Sequence, residues 1–131
     1  NTIACWGDNA FGERDSPSGL FNQISAGGEH NCAVRADNTI VCWGANLGGE
    51  TDATSGLFSQ VSAGAFHNCG VRTDNSITCW RGLSEYGEAD VPIDLFIQVS
   101  PGFTHTCGLR TDNTVACWGR NLEGQTDVPT P

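Results

Sequence analysis

Cysteine and histidine are the residues whose spacing in this chain could do chemistry. Cys32, Cys69 and Cys107 are each followed, after nine intervening residues, by Cys42, Cys79 and Cys117. His30, His67 and His105 stand two residues before the first cysteine of each pair. Thiolate and imidazole together suit zinc, but the close C-x2–4-C pair of structural zinc sites is missing. Dithiol redox catalysis would use C-x-x-C, which is also missing. A general base is a unique residue beside a nucleophile. These histidines recur in every unit, so the expected role is a hydrogen bond that holds a turn. No Ser–His–Asp arrangement stands out, and ERDSPSG and GEAD only weakly approach a calcium loop. No catalytic residue, no metal and no cofactor is expected.

Oxidation to disulfides is the chemistry that fits. The midpoints of the three pairs are Asp37, Asp74 and Asp112. A hairpin closing at each Asp sets the two thiols opposite each other, within disulfide reach. Three intra-hairpin disulfides are expected, each worth ~2–3 kcal/mol through loop closure. Seven cysteines in a chain this short point to an oxidising compartment, hence a secreted or extracellular protein. Cys5 has the position of a second hairpin cysteine, and its partner would precede Asn1. Three readings stay open: a lost upstream piece, a bond to another chain, or a free thiol. The start at Asn1 instead of Met suggests a processed or trimmed product.

The elements that carry these residues repeat. Trp6, Trp43, Trp80 and Trp118 are 37, 37 and 38 residues apart. Each unit reads as a short strand (QISAG, QVSAG, IQVSPG), then a hairpin such as NCAVR-ADN-TIVCW, then a polar loop with room for one short edge strand. Asp and Asn suit the hairpin turn because they tolerate left-handed backbone and bond nearby amides. The small residues ending the first strand suit a crowded position near a central axis. No stretch has an amphipathic helical pattern. A period of this length marks a supersecondary unit that must stack on neighbours to bury its apolar face. The expected division is a remnant over 1–19 and repeats over 20–56, 57–94 and 95–131.

Composition narrows the function. Fifteen acidic residues oppose six basic ones, all Arg, for a net charge of −9. Nucleic acid and anionic membranes both ask for a cationic surface. No apolar run is long enough to insert as a membrane helix. No N-x-S/T sequon is present.

The motif G-x-x-H-x-C-x-[VL]-R-x-D-N-[TS]-[IV]-x-C-W-G-x-N-x-x-G resembles the repeat of the regulator of chromosome condensation family, in its cysteine-rich form. The resemblance covers practically the whole chain. It implies an all-β fold of propeller blades, four-stranded and seven to a ring, on members that serve as exchange factors, chromatin binders, photoreceptors, receptor domains and inhibitors. Three and a half repeats of about 37 residues cannot close such a ring. Two copies would bring eight return strands and only six first strands. The expectation is therefore part of a larger propeller, completed by an upstream fragment or a companion chain. Arg81 departs from the motif by replacing the glycine after Trp, and the linker GLSEYG is one residue longer, so a rebuilt loop is expected there.

Function should lie where matched units differ. The loops before each His read GGEH, GAFH and GFTH. Those after Trp carry Ala10-Phe11, Leu47-Gly48, Glu85-Tyr86 and Leu122-Glu123. A residue needed for packing should recur in each unit. Phe66, Phe103 and Tyr86, ringed by Glu29, Arg81 and Glu85, are thus the expected contacts to a protein or peptide ligand. The competing reading has them filling gaps between blades. Two other classes stay open. A lectin would expose the Trp series beside Asp or Asn, although packing between blades is the expected role of a repeated Trp. A hydrolase or lyase would bring unique polar residues together in an acidic cleft.

Overall fold

A computed structural model describes residues 1–80 and 85–130. Among the described residues, nine strands form three antiparallel sheets in sequence order. The first sheet holds β1 (Phe21–Ala26), β2 (His30–Arg35) and β3 (Ile40–Gly44). The second holds β4 (Phe58–Ala63), β5 (Asn68–Arg72) and β6 (Ile77–Trp80). The third holds β7 (Phe96–Pro101), β8 (His105–Arg110) and β9 (Val115–Gly119). Blades of the expected kind are present as an open arc. Four strands per blade are not: among the described residues each sheet has three. The segments after Trp6, Trp43 and Trp118 fold as turns, with amides satisfied by Asn and Glu side chains instead of a fourth ladder.

Hairpin register follows from the turn. Asp37 Oδ1 accepts the Thr39 amide at 3.0 Å and the Thr39 hydroxyl at 2.6 Å. Asp74 with Ser76 and Asp112 with Thr114 repeat this arrangement. The left-handed residue between them is Asn38, Asn75 or Asn113, at φ 69°, 71° and 68°. Asn tolerates that conformation better than most side chains. The turn pairs Cys32 with Cys42, Cys69 with Cys79 and Cys107 with Cys117, at Cα separations of 4.1, 4.0 and 4.0 Å. All three expected disulfides are formed, and Cys5 is free.

The core lies between sheets, as a stacked repeat requires. Cys32, Val34, Phe58 and Val61 fill the first junction, with Trp80 at its side. Cys69, Val71, Phe96, Val99 and Trp118 fill the second. Residues 1–6 are not a strand, yet Ile3 and Cys5 pack on Phe21, Ala33 and Trp43 as Ile40 and Cys42 pack one blade later. Close approach near the axis explains the small residues there. A Cβ on Gly27 would lie 2.6 Å from the Gly64 carbonyl oxygen and 2.7 Å from the His30 ring.

Candidate functional site

Side chains that bridge neighbouring blades hold the site's scaffold. His30 Nε2 lies 2.6 Å from Asn68 Oδ1, and the Asn68 amide donates to the Glu50 carbonyl at 2.8 Å. One junction further on, His67 Nε2 lies 2.7 Å from the Thr106 hydroxyl, which donates to the Glu88 carbonyl. His30, His67, Asn68 and Thr106 are all buried. Each His carbonyl closes its own loop by accepting the Gly27, Gly64 or Gly102 amide, while the His30 and His67 side chains join their blade to the next one. The periodicity could not show this, because the acceptor lies a full repeat away. Gln23 and Gln60 add a second bridge. Each amide group donates to and accepts from the backbone of the next inner strand, at Val61 and Val99.

Tryptophan completes the junctions. The buried Trp43 and Trp118 indoles donate to the Glu13 and Glu88 carbonyls at 2.9 and 3.0 Å. Their faces are spent on packing, which removes the repeated sugar platform a lectin would need. Trp80 is half-buried and its indole N–H meets no acceptor among the described residues. Trp6 is 87% exposed.

Two loop series meet at the end of the arc opposite the hairpin turns. The Ala45 amide donates to the Glu29 carbonyl at 2.8 Å, and the Arg120 amide to the Thr104 carbonyl at 2.9 Å. The loops after the inner strands and those after Trp thus share one face. Gly44 and Gly119 make the crossing possible. Both have left-handed backbone, φ 111° and 107°, and an added Cβ would strike a carbonyl oxygen at 2.7 and 2.8 Å. Arg81, at the equivalent position, lies outside the described residues.

The remaining expected contacts fall on this face. Phe66 and Phe103 are 46% and 63% exposed and stack edge to face, with ring centroids 4.8 Å apart. They meet across the junction of the second and third blades and stay partly exposed there. Glu29 is exposed and lines a groove of about 430 Å³ with Gly28, Leu47, Ala65 and Phe66. Glu85 and Tyr86 are also exposed, and Arg120 lies over the Tyr86 ring at 5.8 Å while pairing with Glu123 at 2.8 Å. The structure therefore joins Glu29 to Phe66, and Phe66 to Phe103. Leu47 and Leu122, 81% and 77% exposed, also belong to the post-Trp loops and were not singled out as contacts. Buried Glu50 and Glu88 support the loops by accepting the Gly48 and Tyr86 amides at 2.8 and 3.1 Å.

At the opposite end, the acceptor geometry holds the three turn aspartates below the ordinary carboxylate range. The side-chain hydroxyl of Thr39, Ser76 or Thr114 contributes most, followed by the same residue's amide.

Comparison with known proteins places this architecture. The chain is similar to the ectodomain of the receptor kinase CR4 from Physcomitrella patens, with 26% identity, TM-score 0.79, and coverage of 97% of this chain and 38% of that one. It is also similar to the CRINKLY WD40 ectodomain of the receptor kinase ACR4 from Arabidopsis thaliana, with 28% identity, TM-score 0.74, and coverage of 97% and 45%. Prp20p of Saccharomyces cerevisiae shares the fold at 16% identity, TM-score 0.76, and coverage of 95% and 44%. The chain spans less than half the length of each of these structures. No curated protein matches it by sequence. The regulator of chromosome condensation (RCC1) repeat matches residues 21–50, 58–87 and 96–125, one match on each blade, and the chain belongs to that family.

Proposed function

We propose that this chain is a non-catalytic protein-binding module that grips a protein or peptide on the loop face, in an extracellular or secretory setting. One observation carries the reading: the exposed Phe66–Phe103 pair. Its equivalents in the first blade are Glu29 and Gly28, and in the third blade the Phe66 position is Thr104. The scaffold does not need the aromatics, since the other blades fold without them. Clustered aromatics projecting from a rigid support are the usual anchors of protein interfaces. Glu29, Glu85 and Tyr86 extend the same face, and Arg81 belongs to its sequence. His30 and His67 are occupied between blades. Three disulfides and the receptor-kinase ectodomains among similar structures support the oxidising setting.

Random peptides displayed on phage can be selected on the immobilised protein and their Kd measured by fluorescence anisotropy. The double variant Phe66→Ala/Phe103→Ala is expected to weaken the selected peptides at least about tenfold. Undiminished binding to a folded double variant would overturn the assignment.

A further inference from the structure

The groove of about 430 Å³ beside the aromatic pair runs between the first and second blades, and its lining is of two kinds. Ala45, Leu47, Ala65 and Phe66 line it with carbon. Glu29 and Glu50 bring two carboxylates, and no arginine lines it among the described residues. The two acids have different duties. Glu50 is buried and accepts the Gly48 amide at 2.8 Å. Glu29 is exposed, and its carboxylate meets neither a donor nor a cation among the described residues. Its backbone is fixed all the same. The Glu29 carbonyl accepts the Ala45 amide at 2.8 Å, and the Gly28 amide donates to the Gly64 carbonyl of the next blade at 3.3 Å. Stacking of the blades does not require an acid at this position, since the matched residues are Phe66 and Thr104.

We infer that this groove receives an arginine or lysine side chain of a peptide ligand, its methylene stem along Leu47 and Ala65 and its cation on the Glu29 carboxylate. The inference rests on the loop-face reading above and names the chemistry that the face selects. A wholly apolar side chain would cover Glu29 with carbon and leave its charge without a partner, which is costly. An acidic side chain would meet like charge, on a chain whose net charge is −9. A side chain that is apolar along its length and cationic at its tip satisfies both parts of the lining. The ligand is therefore a basic peptide, held by its aromatic contacts at Phe66 and Phe103 and oriented by one cation at Glu29.

The test is a double-mutant cycle on the phage-selected peptides. Each arginine of a selected peptide is replaced in turn by citrulline, and each lysine by norleucine, which keeps the stem and removes the charge. Kd is measured by fluorescence anisotropy on wild-type and Glu29→Gln protein. One such replacement is expected to weaken binding to the wild type about fivefold. On Glu29→Gln protein the same replacement is expected to cost under about twofold, because the partner charge is already gone. Reselection on Glu29→Arg protein is expected to put Asp or Glu in place of that cation. Equal losses on wild-type and Glu29→Gln protein would overturn the inference, as would selected peptides that carry no cation. If Phe66→Ala/Phe103→Ala still weakens those peptides, the loop-face reading survives and the Glu29 assignment alone falls. If the folded double variant binds them undiminished, both fall.

Discussion

The two ends of the blades obey different rules. At the hairpin end the sequences RADN, RTDN and RTDN give the same bonds three times. At the loop end GGEH, GAFH and GFTH keep their histidine and change almost everything before it. The first end sets register, and through register the disulfides. The second inherits a rigid support and is free to vary. Conserving geometry at one end while changing chemistry at the other is how a repeat can serve recognition without loss of fold.

Several substitutions separate these roles. The largest expected effect is on the hairpin: Cys69→Ala/Cys79→Ala should lower stability by ~2–3 kcal/mol in denaturant unfolding. His30→Ala leaves Asn68 Oδ1 buried without its partner and should cost about 1–3 kcal/mol by the same assay. Phe66→Ala/Phe103→Ala should alter stability by under about 1 kcal/mol, since both rings are exposed, while weakening ligand at least about tenfold. A large stability loss there would make the pair a packing element and undo the contrast between the two ends.

The smallest effect concerns acid. The turn aspartates have folded pKa values below the ordinary 3.8 because their carboxylates accept hydroxyl and amide bonds. A depressed acidic pKa adds stability that is complete above the unfolded value and is lost as pH falls through the folded one. Melting temperature should therefore decline below about pH 4, and Asp74→Asn should make that decline shallower. Full exposure of these groups keeps the effect small.

What the sequence revealed follows the same division. Hairpin register was legible because Cys32 and Cys42 are symmetric about Asp37, and a two-residue side-chain period converts symmetry into contact. The partner of His30 was not legible. A repeat gives position within a unit, whereas the bond to Asn68 depends on how units stack. Nor did composition reveal that Glu50 and Glu88 are buried loop supports, since glutamate in a polar loop ordinarily faces water. The expected fourth strand failed for a local reason. Asn46 and Asn121 bridge Asp52 and Asp127 across their loops and hold the chain in turns. Of the proposed binding face, unlike residues at matched positions gave Phe66, Phe103 and Tyr86. The exposed Leu47 and Leu122 stand at varying positions too, but apolar type alone does not show exposure.

Amide hydrogen exchange of the protein, alone and saturated with a phage-selected peptide, tests the central claim most directly. Binding at the loop face predicts added protection at residues 64–66 and 102–104, with the hairpin turns at 36–38, 73–75 and 111–113 unchanged. Protection confined to those turns, with none at the aromatic loops, would contradict it.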